Sequence, residues 1–355
     1  GENNLPKNYD KIILDKWGRR SSGEKRFVET PEVVFYRTSR FIAEGMKEKD
    51  ETVDTEKKTR EVFYKMINRE VFPNTPYMAN GGHNLIANYL EQKLAEYGIN
   101  EPKLANELVQ EKEVKEQLFA CFVLDVFDSR DSIFKTMSEA ADIQASIGGT
   151  GFNFSNLRPA NETIHKTGGL TDGPISFMAM YSTVLGKTMN QGGKSEGANM
   201  FELDWNHPDI MRFIYSKRQD GEIPAANISV TVDHEFMQAY KSKGEESFYR
   251  LKNPHFNSIK RPHVKEFYTS SQLKRAIEAT KLNKKSKASL LLAENGVDVL
   301  SPWISEGMSD EEQIVGKIGD DGFVYLDSKK VMRHLSYGAW FNGEPGIIVT
   351  GHIND

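Results

Sequence analysis

The sequence predicts an α/β protein whose first third is helical and whose remainder is an α/β sheet or barrel. Three observations point there. Up to about residue 116 the apolar residues recur at helical spacing among many charges. From Gln117 onward, apolar runs of strand length alternate with amphipathic helices. Glycine clusters punctuate that alternation, at Gly148-Gly-Thr-Gly151 and at Gln191-Gly-Gly193. The 355 residues, 38% of them hydrophobic, are enough to bury a large core.

Thr30-Pro31-Glu32 is a helix start, with a hydroxyl to cap and a proline in the first turn. Val34, Thr38, Phe41, Ile42 and Met46 then share a face. A second helix is expected from about Glu56 to Glu70, burying Val62, Phe63, Met66 and Ile67, and Phe72-Pro-Asn-Thr-Pro76 follows as an extended turn. A third, carrying Leu85, Ile86, Tyr89, Leu90, Leu94 and Tyr97, ends near Gly98. These stripes read as core packing.

The run Gln117–Val126 is apolar on both faces, as a buried parallel strand would be. Asp128 or Ser129 caps the next helix, in which Ile133, Phe134, Met137, Ala140 and Ala141 align. Gly151–Ser155 reads as a second strand, Asp172-Gly-Pro174 as another helix start, and Asn199–Asp204 and Ala226–Asp233 as further strands. Residues 241–330 read as an elaboration of surface helices and loops, with basic clusters at Lys260-Arg261 and Lys284-Lys285 that suit a solvated face. A helix from Ser328 to Phe341 leads to a last strand, Pro345–Thr350.

Composition narrows the function. A net charge of −5 argues against a general nucleic-acid binder but leaves room for a nucleotide pocket, which needs only a few local cations. A single cysteine excludes an intramolecular disulfide and an all-cysteine metal site. The longest apolar run, Ala288–Ala293, falls far short of the roughly 18 residues that span a bilayer, and Gly1-Glu-Asn-Asn4 is not signal-like. The expectation is a cytoplasmic protein without membrane or nucleic-acid partners. Taken singly, the motifs are ordinary. A lone Cys121 packs well as a small hydrophobe, Gly148–Gly151 can be a tight turn, and Gln191-Gly-Gly can end a helix. No Gly-Lys-Ser/Thr ends the first glycine cluster, so it is not a Walker loop.

Their order is more telling. Phe72–Pro76, Ala120-Cys-Phe-Val-Leu124, Asp128-Ser129, Gly148–Phe152, Leu157-Arg-Pro159, Gly173–Phe177, Gln191-Gly-Gly193, Gly197–Met200 and Asn206-His-Pro-Asp-Ile210 follow one another. The set resembles the catalytic subunit of ribonucleotide reductase, in particular the class II, adenosylcobalamin-dependent form, over roughly residues 8–240 and again at Trp340–Asn354. The absence of an ATP-binding cone module ahead of the helical region favours class II over class I. The resemblance implies a helical domain over residues 1–116, then over 117–355 the first five-stranded half of a ten-stranded α/β barrel, elaborated at about 241–330.

It also implies site residues. Cys121 would reduce the substrate together with a second cysteine further along the family's chain. Thr75 would bind the ribonucleotide's phosphates, and Ala120, Gly148 and Gly149 would line the substrate. Asp128 would hold the ribose of a deoxynucleoside triphosphate effector, with or without magnesium. Arg158 would meet the effector's phosphates, and the loop from Gln191 through Lys194 to Ala198 would lie between effector and substrate bases. A homodimer and a thiol reductant such as thioredoxin are the implied partners. No metal ligand is implied.

The chain departs from the family pattern twice. Where the family has arginines in the second half of the effector loop, this chain has Lys194-Ser195-Glu196, and weaker phosphate contacts near the substrate are expected. The sequence also stops before the family's Asn-Pro-Cys radical loop. The leading expectation is therefore the amino-terminal half of a split enzyme, inactive without a carboxy-terminal partner chain that carries the radical cysteine and most cobalamin contacts. The alternatives are a non-catalytic, dimerising nucleotide-binding module, a fragment of a single-chain enzyme, or a fragment of a class I catalytic subunit.

Overall fold

The computed structural model describes residues 30–82, 118–146, 148–164, 167–188, 190–191, 195–218, 222–254, 265–282, 288–304 and 307–350. The chain divides into two compact units. One comprises residues 1–122 with 146–148 and 191–195; the other comprises 123–145, 149–190 and 196–355.

In the first unit, α1 (Pro31–Lys49) starts where the sequence places it, with the Thr30 hydroxyl accepting the Val33 N–H. Its packed face is rotated from the expected stripe. Val34, Phe35, Thr38 and Ala43 are buried, whereas Met46 is exposed. The rotation brings Arg37 and Ser39 inside, where each finds a partner. Ser39 donates to the Phe35 carbonyl, and Arg37 Nη1 donates to the carbonyls of Met78 and Gly81, both at 2.8 Å. α2 (Thr55–Ile67) packs Val62, Phe63, Met66 and Ile67 against Val34, Phe35 and Met78. Asn74 then caps α3 (Thr75–Asn80), and its side chain accepts the Tyr77 N–H at 2.9 Å. The third helix expected at Leu85–Gly98 lies outside the described residues.

The second unit is organised by a five-stranded sheet in the order β1-β2-β5-β6-β12. Its strands are β1 (Cys121–Asp125), β2 (Gly149–Asn153), β5 (Asn199–Asp204), β6 (Asn227–Val232) and β12 (Gly346–Val349), and β2, β5, β6 and β12 pair in parallel. Between β2 and β5 run α5 (Pro174–Thr183), a π-helical turn over Val184–Thr188, and the short pair β3 (Asn190–Gln191) and β4 (Ser195–Glu196). α4 (Arg130–Ala145), α5 and α6 (Ile210–Tyr215) cover the sheet. Phe152, Phe154, Tyr181 and Phe201 form its aromatic centre, meeting edge to face at 5.0–6.5 Å. α7 (His234–Lys241) follows β6, and α10 (Ser328–Asn342) precedes β12.

Two further expectations need correction. β1 is not buried on both faces. Cys121, Val123 and Asp125 share one face and are exposed while Phe122 and Leu124 are half-buried, so only one face of this strand is covered among the described residues. The elaboration is not only helices and loops either. It folds an antiparallel sheet in the order β7-β11-β10-β9-β8, made of β7 (Phe248–Arg250), β8 (Leu291–Leu292), β9 (Asp298–Leu300), β10 (Ile314–Ile318) and β11 (Val324–Asp327). The helix α8 (Ser270–Leu282) and the one-turn α9 (Asp310–Gln313) accompany it. Tyr249, Val299, Val315, Val324 and Leu326 join the main core, so the sheet is bonded to the unit by apolar burial. The clusters Lys260-Arg261 and Lys284-Lys285 lie outside the described residues.

Candidate functional site

Cys121 is exposed at the first residue of β1. That removes the reading of a buried packing cysteine, since a side chain open to solvent contributes little to a core. Ala120 precedes it and is half-buried. Thr75 is exposed at the first position of α3, and Arg37 fixes that short helix by taking up two carbonyls at its far end. Gly148 is buried immediately before β2, and Gly149 opens the strand.

The structure does bring Asp128 and Arg158 together. Arg158 Nε lies 3.2 and 3.0 Å from the two Asp128 carboxylate oxygens, and Nη2 lies 2.8 Å from one of them. Nη1 donates to the Thr163 carbonyl at 3.4 Å. A guanidinium has five N–H donors. Held this way it keeps one N–H on each terminal nitrogen, an arrangement that can still grip a phosphate oxygen. Ser129, not Asp128, caps α4, accepting the Ser132 N–H at 3.1 Å. Asp128 pairs with the arginine instead.

Arg158 begins a loop that folds as a small hairpin. Asn161 N–H donates to the Thr171 carbonyl at 2.7 Å and Thr171 N–H to the Glu162 carbonyl at 3.0 Å, and Thr163 pairs with Leu170. Both ends of the loop are tied to the Asn206–Arg212 segment. The buried Asp209 carboxylate accepts the Ala160 N–H at 2.8 Å, and Arg212 Nη1 donates to the Asp172 carbonyl at 2.9 Å. Arg212 is itself paired with Glu222. Gly173 sits at φ 76°, where a Cβ would lie 2.6 Å from Asp209 Oδ2 and 2.7 Å from Ala160 N, so only glycine fits. Burial pushes the Asp209 carboxyl up and pulls the His207 imidazole down. His207 stays neutral, with Nε2–H directed at the Leu157 carbonyl and Nδ1 accepting the Asp209 N–H. The Asn-His-Pro-Asp-Ile motif is thus the clamp under the Arg158 loop. The sequence reading marked the motif without finding this role, and Arg212 it missed.

The second glycine loop is described in part. Lys194 lies outside the described residues, and Gln191 is placed by its backbone in β3. Beneath the loop's exit, Gln144 Nε2 donates to Thr150 Oγ1 and Asn199 Oδ1, both at 2.7 Å, in a wholly buried polar cluster. Gly197 passes over it so closely that a Cβ would lie 2.3 Å from Gln144 Oε1 and 2.4 Å from the Leu185 carbonyl oxygen. Gln144 was also missed, because an isolated glutamine on a helix carries no signal of its burial.

Among the described residues no group of three or more His, Cys, Asp or Glu side chains is arranged to hold a metal ion, and no helix is long and apolar enough to cross a membrane. Residues 119–355 match the family model described as the ribonucleotide reductase barrel domain. The chain is 42% identical over 143 residues to a vitamin B12-dependent ribonucleoside-diphosphate reductase of Mycobacterium tuberculosis, a stretch covering 40% of this chain and 20% of that protein. It is 43% identical over 154 residues to the protein of the same name from Thermoplasma acidophilum, covering 43% and 20%. The large subunit of ribonucleoside-diphosphate reductase from monkeypox virus is 30% identical over 137 residues, covering 37% and 18%. The matched stretch therefore spans about a fifth of the length of these relatives.

Proposed function

This chain belongs to the ribonucleotide reductase barrel-domain family, and on that premise we propose that it supplies the reducing cysteine and the effector site of a class II reductase. The observation that carries the reading is Cys121, exposed at the start of β1 where the family match begins. In the proposed reaction the ribose 2′-hydroxyl leaves as water, hydrogen takes its place, and two thiols become a disulfide. That balances two electrons and two protons. This chain holds one cysteine, so Cys121 is one thiol of the pair. The second thiol and the radical cysteine come from further polypeptide, which we take to be a carboxy-terminal partner carrying an Asn-Pro-Cys loop. Thr75, Ala120, Gly148 and Gly149 position the ribonucleotide, and thioredoxin or a similar thiol re-reduces the pair.

A bound adenosylcobalamin supplies the radical that such chemistry starts from. Beside Cys121, Val123 is 81% exposed, and the cofactor's contacts are assigned in this reading largely to the carboxy-terminal partner. The relatives named for vitamin B12 favour this cofactor class. The viral large subunit favours the second reading, a class I catalytic subunit served by a separate radical-generating protein.

The effector site rests on Asp128 and Arg158, with Gln191 and Lys194 on the adjoining loop and a homodimer formed along α5. The test of the whole reading is reconstitution. Ribonucleotide reduction should require this chain, a polypeptide with the Asn-Pro-Cys loop, adenosylcobalamin and dithiothreitol. Cys121→Ser should abolish multiple turnover. Reduction by the chain alone would defeat the partner requirement. Normal turnover by the serine variant would defeat the role of Cys121. Activity with a radical-generating subunit in place of cobalamin would select the class I reading.

A further inference from the structure

The elaborated segment touches the Arg158 loop at a defined point. Asn161 Nδ2 donates to Thr280 Oγ1 of α8 at 2.9 Å, across 119 residues of sequence. Thr280 in turn donates its only hydroxyl proton to the Ala276 carbonyl at 2.8 Å. The threonine oxygen can therefore only accept from Asn161, which fixes the orientation of the amide. Asn161 is 4% exposed and takes a left-handed conformation at φ 63°, which asparagine tolerates better than most residues. Beside this bond the loop and the helix stand apart. A cavity of about 500 Å³ separates Glu162, Thr163 and Leu170 from Gln272, Arg275 and Ala279. The bond is therefore a direct polar tie between the loop and the helix at the margin of this cavity.

The hairpin passes this constraint onward. Asn161 N–H is bonded to Thr171, and the Thr163 carbonyl two residues on receives Arg158 Nη1. A loop free to move toward the cavity would withdraw that carbonyl and leave Asp128 alone to orient the guanidinium.

We propose that Thr280 is a positioning residue for the effector site: through Asn161 it holds the Arg158 loop in its binding conformation, so that the elaborated segment tunes effector affinity without touching the nucleotide. The proposal rests on the reading of Asp128 and Arg158 as the effector site.

The test uses the 355-residue chain with Thr280→Val, nearly the same in shape but without the acceptor, and Thr280→Ser, which keeps it. In Thr280→Val, amide hydrogen exchange at residues 161–164 and 169–171 should rise about tenfold, as loss of a buried hydrogen bond would allow, with exchange in β5 and β6 unchanged. Deoxynucleoside triphosphate binding by calorimetry should weaken roughly three- to tenfold. Thr280→Ser should restore both. A merely structural threonine would alter the unfolding midpoint and leave affinity alone. Unchanged exchange in the loop overturns the proposal. So does faster exchange at undiminished affinity. If the unmodified chain binds no deoxynucleotide at all, the effector reading fails and this role falls with it, whereas the exchange result still decides whether Thr280 holds the loop.

Discussion

Arg158 shows how far single residues could be read. Its place after Leu157 and before Pro159 marked it in the sequence, and the bidentate contact to Asp128 gives that mark a physical basis. Arg158→Ala should weaken deoxynucleoside triphosphate binding more than tenfold by calorimetry, because a phosphate loses a charge-assisted fork. Asp128→Asn should weaken it less, about three- to tenfold, since it leaves the arginine present but poorly oriented. Equal affinity in all three proteins would remove both residues from the site. Other residues gave no such sign. Arg37 and Arg212 are wholly or nearly buried, yet in a linear sequence each looks like one more surface charge. Their roles depend on carbonyls brought near by tertiary folding, at Met78, Gly81 and Asp172, which no spacing rule can supply.

At the scale of elements, periodicity served where a segment was long or strongly patterned. Asn199–Asp204 matches its expected strand to the residue, and the helices beginning at Pro31 and Pro174 start after the residues expected to cap or precede them. It failed in the elaboration, whose strands run from two to five residues. So short a strand cannot show an alternation, and its stability comes from neighbours in the sheet. It also misjudged β1, because an apolar run reads the same whether one face of the strand or both are covered. The close passage at Gly197 makes an element-level test. Gly197→Ala should destabilise the protein by about 1–3 kcal/mol, the usual cost of forced overpacking, read from the denaturant midpoint at unchanged slope. A midpoint equal to the parent's would mean that the loop moves off Gln144 freely.

Among the described residues the five-stranded sheet ends on β1 and β12, and both ends expose apolar side chains. Val123 and Phe127 are exposed at one, Ile347 at the other, and Trp340 is 79% exposed on the helix leading to β12. Unpaired edges of this kind promote association. Sedimentation should find the chain self-associated when alone and in a stoichiometric complex when the proposed partner is added. A stable monomer indifferent to that partner would count against the half-barrel reading. A second global property follows from His334. Its Nε2–H faces the Glu312 carbonyl at 3.1 Å, so Nδ1 accepts the Tyr215 hydroxyl, and burial holds the imidazole below its ordinary value. A lowered histidine binds its proton more readily when the chain is unfolded, so its stabilising effect is full above pH 6.5 and is lost as pH falls below that value. The denaturant midpoint should drop between pH 7.5 and 5.5, and drop less in His334→Gln. The same slope in both would assign the acid sensitivity elsewhere.

β7 and β11 are hydrogen-bonded neighbours, and Arg250 donates to the Tyr325 hydroxyl at 2.6 Å although the two lie 75 residues apart. The chain thus leaves the main fold and rejoins it through one doorway. Closing a longer excursion there adds cost only with the logarithm of its length. A lineage can lengthen, shorten or exchange what lies beyond the doorway without rethreading the parallel strands. Because the helix that reaches Asn161 is carried on that excursion, the proposed influence of Thr280 and the parallel strands themselves are free to change at different speeds.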